Sequence, residues 1–248
     1  MKKSRKEKYI KRRRRKILLR RLLFILILFS ILVFTLLKVG IFNVNSIKVI
    51  GNQKVSAEDI IKRSGFKIGE SYFKISKKNR IDDINSIAMI KSSKISFIPK
   101  SVTIKVVERI PKIQIEDYGN YYIVDDELRI IKVESNMTEG LLDMIISAKT
   151  NHKVGTFLFE KNEKVREFFY KLFKDELFGE LKQVSPSDKS INFITKDNIE
   201  IDFGSYENVD YKFKMLKEIL KDIKETNKNA IKIFMEKGEN PIVRLESN

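Results

Sequence analysis

An uncharged run of sixteen residues, 22–37, constrains this chain more than any other feature. The run reads LLFILILFSILVFTLL, and its only polar members are Ser30 and Thr35. As a helix it would be about 24 Å long, and the apolar residues that follow, as far as Phe42, bring it closer to the ~30 Å hydrocarbon core of a bilayer. We therefore predict one transmembrane helix over residues 17–41, with Leu22, Phe29 and Leu37 inside the membrane.

A buried helix and a signal peptide both fit this run less well than a membrane anchor. A buried helix of a soluble protein is rarely apolar on every face with a dense basic block at one end. A cleaved signal peptide has a shorter apolar region that ends in a small-residue cleavage site. Here the first alanine is Ala57, and no Ala-x-Ala follows the run. The pattern favours an uncleaved membrane anchor.

The distribution of charge predicts the orientation of the anchor. Residues 1–21 contain thirteen Lys or Arg and one acid, Glu7, for a net charge of +12. The whole chain has a net charge of +17, of which residues 39–248 hold only +4. Positive charge beside a membrane span stays in the cytoplasm. We predict that residues 1–16 are a basic cytoplasmic tail and that the chain after the span is extracytoplasmic.

The basic run 11–16, KRRRRK, also has the composition of a nucleic-acid-binding patch. Beside a membrane span, such a run is more typical of a topology signal that also attracts anionic lipid. The expected partners of the tail are therefore lipids of the cytoplasmic membrane, and no nucleic acid.

The chain after the span has no cysteine, so hydrophobic cores must stabilise it without disulfides. Its first 70 residues or so alternate strand-like and helix-like patterns. Two helices on one face of a three-stranded sheet would bury the apolar rows of these segments. The predicted elements are a strand over 42–50, a helix with N-cap Ser56 and C-cap Gly65, a helix over 79–89, and strands over 94–98 and 102–107.

Two segments carry a family resemblance. Residues 42–65 read FNVNSIKVIGNQKVSAEDIIKRSG, and residues 98–111 read IPKSVTIKVVERIP. Together they resemble the POTRA (polypeptide-transport-associated) domain. A basic tail, one span and a single such domain resemble the FtsQ/DivIB family of bacterial cell-division proteins. The resemblance implies an α+β fold class with a transmembrane helix, a POTRA domain of β-α-α-β-β order over 42–112, and a C-terminal mixed β domain with flanking helices over 113–248.

The pattern of the C-terminal domain agrees with that resemblance except over residues 136–156, where Leu141-Leu142-Asp143 lacks the proline that the family often has. Helical spacing predicts amphipathic helices over 160–178 and 208–226. Alternation and turn residues predict strands over 113–115, 121–124, 128–133, 191–195, 199–203, 231–235 and 242–245.

The sequence contains few of the residue patterns expected of an enzyme. The one histidine, His152, lies in a polar stretch and cannot form a multi-histidine metal site or a triad with a recognisable nucleophile motif. The acidic groups at 116–117 and 125–127 could be glycosidase carboxylates, but turns between strands also favour Asp. We predict that the protein is not an enzyme and uses no cofactor and no metal.

The last two predicted strands could pair as a hairpin, with a free edge because the chain ends three residues after Leu245. A free edge can accept a partner strand. The family resemblance implies FtsB/DivIC-like and FtsL-like single-pass partners for this domain, and implies that Lys189 contacts an acidic side chain of the partner. Alternatively, the strand residues are core residues and Lys189 is a solvated lysine. The candidate partner-binding residues are Lys189, Ile231, Ile233, Phe234, Ile242, Val243, Arg244 and Leu245.

The resemblance implies a division scaffold in the cytoplasmic membrane at the septum, which links early and late septal-wall synthesis proteins by protein–protein interaction. A first alternative is a polypeptide transport or assembly module of a secretion system, although such modules usually carry tandem POTRA domains before a β-barrel. A second alternative is an anchored wall-modifying enzyme, against which the missing catalytic patterns argue.

Overall fold

A computed structural model of the chain describes residues 2–146, 152–236 and 240–246, with side chains from Lys16 onward except that of Leu37. The first element is helix α1, Lys2–Lys38. It therefore includes residues of the basic tail as well as the apolar run. It ends at Lys38 and not at the predicted residue 41, because Gly40 turns the chain with a φ of 67°.

The apolar part of α1 is the one stretch among the described residues that is long and apolar enough to cross a membrane. This stretch is Lys16–Leu36, and none of it is buried against the rest of the chain. Leu22 and Phe29 lie on it with exposed side chains. Leu37 follows it in the helix, but its side chain lies outside the described ones. The helix is consistent with a membrane anchor.

The next segment has the predicted β-α-α-β-β order. Its three strands form a sheet of order β1-β3-β2 in which β1 runs parallel to β3. The core under this sheet includes Ile60, Ile95, Val102 and Ile104, all fully buried. The elements are β1 (Ser46–Ile50), α2 (Ala57–Ser64), α3 (Lys77–Asn85), β2 (Ile90–Ile98) and β3 (Ser101–Glu108).

Local sequence explains the bounds of these elements. Helix α2 begins as predicted, because the Ser56 hydroxyl accepts a hydrogen bond from the Asp59 N–H at 3.0 Å. Strand β1 begins later than the predicted residue 42, because the N–H of Val44 donates instead to the carbonyl of Glu70 at 2.9 Å. Helix α3 ends at Asn85 and not at residue 89, since the chain turns there into β2.

The remaining strands form a mixed sheet of nine strands within the described residues, in the order β12-β11-β10-β9-β8-β7-β4-β5-β6. The pairs β4–β7, β7–β8 and β10–β11 are parallel, and the other neighbours are antiparallel. The elements are β4 (Pro111–Asp117), β5 (Asn120–Asp125), β6 (Ile130–Glu134), β7 (Leu142–Met144), α4 (Glu163–Leu172), β8 (Leu181–Pro186), β9 (Ser190–Thr195), β10 (Glu200–Ser205), α5 (Val209–Glu225), β11 (Ala230–Phe234) and β12 (Ile242–Leu245).

Helices α4 and α5 cover one face of this sheet with phenylalanines at their centre. The Phe168 ring of α4 lies 6.0 Å from Phe193, 5.5 Å from Phe203 and 5.4 Å from Phe213, measured between centroids. All four rings are almost completely buried. Aromatic pairs of this kind contribute about 0.5–1.5 kcal/mol each beyond the area they bury. The predicted α+β fold class is confirmed.

Three elements of this part differ from the prediction. The helix predicted over 160–178 is the shorter α4 followed by a separate 3₁₀ turn, Glu176–Glu180. The carboxylate of Asp175 caps this turn by accepting from the N–H of Leu177 at 2.8 Å, which separates it from α4. The sequence does not predict strands β7 and β8. Residues 147–151, which belong to the segment 136–156 where the pattern departs from the resemblance, lie outside the described residues.

The contacts divide the chain into two compact units. One comprises Met1–Asn52, Ser56–Asp83 and Ser93–Val106, and the other comprises Gln53–Val55, Ile84–Ser92 and Val107–Asn248. The nine-stranded sheet and its helices belong entirely to the second unit, so the candidate site below can be described within that unit alone.

Candidate functional site

Strand β12 lies at one edge of the nine-stranded sheet. Its neighbour is β11, with which it pairs antiparallel through Ile233↔Val243 and Phe234↔Ile242. The predicted hairpin of the last two strands is thus present, although Gly238 of its turn lies outside the described residues. Within the described ranges, no strand pairs with the outer side of β12.

The predicted edge residues divide into core and surface positions. Ile233 is fully buried, and Val243 is half-buried against the same core. Ile242 and Leu245 are each 46% exposed. Of the other candidates, Phe234 is half-buried, and Ile231 and Arg244 are exposed. The surface of the edge is therefore formed mainly by the side chains of β12 itself.

The backbone of β12 carries, on its outer side, N–H and C=O groups with which no described strand pairs. The N–H of Glu246, just after the strand, donates inward to the carbonyl of Asn229 at 2.8 Å. Successive residues of a strand in an antiparallel ladder point their N–H groups to opposite sides. It follows that Val243 and Leu245 direct their N–H and C=O groups outward, where an added strand could pair with them.

A groove of about 380 Å³ lies beside this edge, between α5 and β12. Its apolar side chains come from both elements, and its charged side chains come from α5 and the loop after it. Lys228 and Asp222 form an ion pair across 3.2 Å in this charged part. An extended or helical segment with one apolar face would match this surface. The groove is lined by Met215, Glu218, Ile219, Asp222, Ile223, Lys228, Val243 and Leu245.

A polar network around the buried Lys212 fixes the end of β11 that leads to β12. The Lys212 ammonium, on α5, is buried and donates to the Glu236 carboxylate and, at 2.8 Å, to the carbonyl of Ser205. Glu236 also accepts from the N–H of Ser205 at 2.9 Å. Burial opposes the ionisation of Glu236, but the hydrogen bonds from Lys212 and Ser205 outweigh it and hold its pKa below the ordinary value. Sequence analysis did not single out these residues.

Comparison with known proteins finds similarity to cell-division proteins. A family model described as "POTRA domain, FtsQ-type" matches residues 42–109. Cell division protein DivIB of Clostridium tetani is 27% identical over 227 residues, which cover 88% of this chain and 84% of the relative. Cell division protein DivIB of Clostridium botulinum (strain Hall) is 26% identical over 252 residues, 97% of this chain and 96% of the relative.

A third relative, Cell division protein DivIB of Clostridium acetobutylicum, is 30% identical over 128 residues. The aligned residues cover 51% of this chain and 51% of the relative. The matched POTRA segment coincides with the β-α-α-β-β elements described above, and two of the three alignments extend over most of the chain. The chain is similar to FtsQ/DivIB-type proteins over most of its length. These similarities and the match of residues 42–109 support a cell-division protein of the FtsQ/DivIB type with a POTRA domain.

The closing motif of the FtsQ/DivIB resemblance, Glu108-Arg109-Ile110-Pro111, has a structural role. The Glu108 carboxylate accepts hydrogen bonds of 2.9–3.0 Å from three successive backbone N–H groups, those of residues 53–55. Burial opposes the ionisation of Glu108, but these N–H groups hold its pKa below the ordinary value. The motif therefore anchors the loop that leads into α2.

The acidic turn 125–127, considered above as a catalytic group, is held in ion pairs. Arg109, which is buried, donates to the carboxylates of Asp125 and, at 2.7 Å, of Glu127. Asp126 accepts from Lys91 at 3.0 Å. Burial opposes the ionisation of Glu127, but the Arg109 and Lys91 charges hold its pKa below the ordinary value. The arrangement stabilises the β5–β6 turn.

Lys189, the basic residue singled out by the FtsQ/DivIB resemblance, does not lie at the β12 edge. It is exposed in the turn between β8 and β9. The turn leads into β9, which lies three strand spacings from β12, so the two lie at least ~14 Å apart across the sheet at ~4.8 Å per spacing. A partner that reaches both must extend across the end of the sheet.

Proposed function

We propose that this protein is a membrane-anchored scaffold of the division machinery in the cytoplasmic membrane at the septum. It would link early and late septal-wall synthesis proteins by binding them, without catalysing a reaction. The relatives that carry the name Cell division protein and the FtsQ-type POTRA match support a role in division. The apolar stretch Lys16–Leu36 supports the membrane anchor.

The charge distribution supports an N-terminus in the cytoplasm and the POTRA and β domains, residues 42–112 and 113–248, outside it. Residues 1–21 have a net charge of +12, and such charge resists transfer across the membrane. The same charge would attract anionic lipids on the cytoplasmic face.

The partners in this proposal are FtsB/DivIC-like and FtsL-like single-pass division proteins. One observation carries it: β12 is an edge strand whose outward N–H and C=O groups lie beside an apolar groove. A partner strand would pair with the backbone of β12, and side chains entering the groove would give selectivity. In this arrangement Lys189 would meet a more distant acidic part of the partner.

Replacing Val243 with proline tests this docking mode. Proline removes the outward N–H, and an edge position tolerates the substitution because that N–H has no partner within the described sheet. We expect the affinity of the full-length protein for its FtsB/DivIC-like partner to fall about tenfold or more, since a lost donor in a desolvated interface is worth about 1–3 kcal/mol.

The matched control is Val243→Ala, which shortens the same side chain but keeps the N–H. It should weaken binding less than the proline variant. Wild-type affinity in Val243→Pro, measured with an unchanged melting curve, would show that the partner docks elsewhere.

The rival proposal is a POTRA module that handles client polypeptides in a secretion system. It would predict binding of unfolded polypeptides of many sequences to the POTRA domain, with no dependence on Val243. The FtsQ-type match, confined to one segment of the chain, and the division proteins among the relatives favour the scaffold.

A further inference from the structure

The chain that leaves α1 is held at once by two loops of the same unit. The N–H of Tyr72 donates to the carbonyl of Phe42 at 2.8 Å, and the N–H of Lys100 donates to the carbonyl of Ile41 at 3.1 Å. Tyr72 lies in the loop between α2 and α3, and Lys100 lies in the turn between β2 and β3. These two segments, residues 65–76 and 99–100, are thus fixed next to the end of the apolar helix. They are called the juxtamembrane loops below.

The juxtamembrane loops expose large apolar side chains. Phe73 is 71% exposed, and its ring meets that of Phe42 edge-on at a centroid distance of 5.1 Å. Ile68 in the first loop and Ile98, the last residue of β2 before the second loop, are more than half exposed, as is Val39 in the turn after the helix. A cluster of exposed apolar side chains on one end of a unit is typical of a contact surface.

The charged side chains of these loops are almost all basic. The acid among them, Glu70, is paired with Arg80 at 3.1 Å. Aromatic and aliphatic side chains next to lysines are the composition that binds the interface of an anionic membrane. The exposed lysines of the loops and of the start of α3 are Lys67, Lys74, Lys77, Lys78 and Lys100.

The position of the loops relative to the headgroup layer of the bilayer follows from the short chain segment that connects them to α1. The helix continues two residues beyond Leu36, which advances it about 3 Å. The chain then turns, and the N–H of Asn43 donates to the carbonyl of Gly40 at 3.0 Å. The headgroup layer on each side of the hydrocarbon core is about 5–8 Å thick. With Lys16–Leu36 spanning the core, the loops begin within this layer.

We propose that the juxtamembrane loops bind the extracytoplasmic lipid surface. Phe73, Ile68 and Ile98 enter the headgroup region, and the lysines beside them contact the phosphates of anionic lipids. The contact limits rotation of the POTRA domain about its anchor. The inference rests on the proposed function, because it requires α1 to span the membrane.

Single tryptophans test the contact, since the chain has none of its own. Three full-length variants, Phe73→Trp, Phe29→Trp and Ile50→Trp, are reconstituted in vesicles of equimolar phosphatidylcholine and phosphatidylglycerol. The quencher is a lipid with a nitroxide near the headgroup end of its acyl chain. Phe29 reports on the span, and Ile50, at the far end of β1 about 13 Å from Ser46, is an exposed control in the same unit.

We expect a loss of fluorescence and a blue-shifted emission at positions 29 and 73, and neither at position 50. Quenching at position 29 without quenching at position 73 overturns the lipid contact but leaves the anchor. An absence of quenching at position 29 would show that α1 does not span the membrane. The lipid contact of the loops, which depends on that anchor, would then be overturned as well. Equal quenching at positions 50 and 73 also contradicts the proposal, because the contact would then not be specific to the loops.

The role of the lysines is tested in the Phe73→Trp background. Replacing Lys74 and Lys100 by glutamate should reduce quenching at position 73 in the mixed vesicles, and less so in phosphatidylcholine alone. The matched control replaces Lys48 and Lys105, which are exposed on β1 and β3, by glutamate. Equal effects of the two pairs would contradict a specific contact of the loop lysines with anionic lipid.

Discussion

At the scale of single residues, Gly204 of β10 lies against Glu236 of the network around Lys212. Its φ is +78°, and a Cβ built there would overlap the Glu236 carboxylate. Alanine therefore strains the backbone and forces a shift of the Glu236 side chain, which is hydrogen-bonded to Lys212 and Ser205. We expect Gly204→Ala to lower the free energy of unfolding by about 2 kcal/mol or more, measured by thermal unfolding of the full-length protein in detergent.

Gly119 supplies the control, because its φ is +79° and nothing lies within 4 Å of an added Cβ. Gly119→Ala should show the backbone strain alone and so destabilise less than Gly204→Ala. Equal losses would mean that the Glu236 network adds nothing. The sequence could not predict this network, since Lys212 and Glu236 are 24 residues apart and meet only through the parallel pairing of β10 with β11.

At the scale of elements, the end of β3 holds the loop before α2 through Glu108. Because its folded pKa is lowered, this carboxylate stabilises the fold above its ordinary pKa of 4.5, and the contribution is lost as the pH falls through the lowered value. We expect Glu108→Gln to reduce stability at neutral pH by about 1–3 kcal/mol. In melting curves taken across pH, the gap between variant and wild type should close in acid. A gap independent of pH would contradict this role.

Elements with local signals were predicted best from the sequence. The cap at Ser56, the β-α-α-β-β order and the stripe of α5 depend on spacing within one segment, and they are present as predicted. Strand β7 was missed because it has three residues and pairs in parallel with distant segments. Strand β8, LKQVSP, was missed although it forms a local hairpin with β9, because Lys and Pro are uncommon in strands. The β12 edge was predicted because hairpins are local, but the groove beside it depends on where α5 packs.

At the scale of the whole molecule, the membrane topology can be tested independently of the fold. A reporter that is active only outside the cytoplasm should be active when fused after Asn248 and silent when fused after Arg15. The physical reason is the +12 charge of residues 1–21, which disfavours their transfer across the membrane. The reverse pattern would place the candidate edge in the cytoplasm, away from the proposed partners.

Residue-resolved amide hydrogen exchange along β12 tests the central claim most directly. In the free full-length protein, the outward N–H groups of Val243 and Leu245 should exchange quickly, whereas that of Arg244, directed toward β11, should exchange slowly. A bound FtsB/DivIC-like strand should slow exchange at Val243 and Leu245 and leave Arg244 slow. Unchanged exchange at both outward positions under saturating partner would contradict strand addition at this edge.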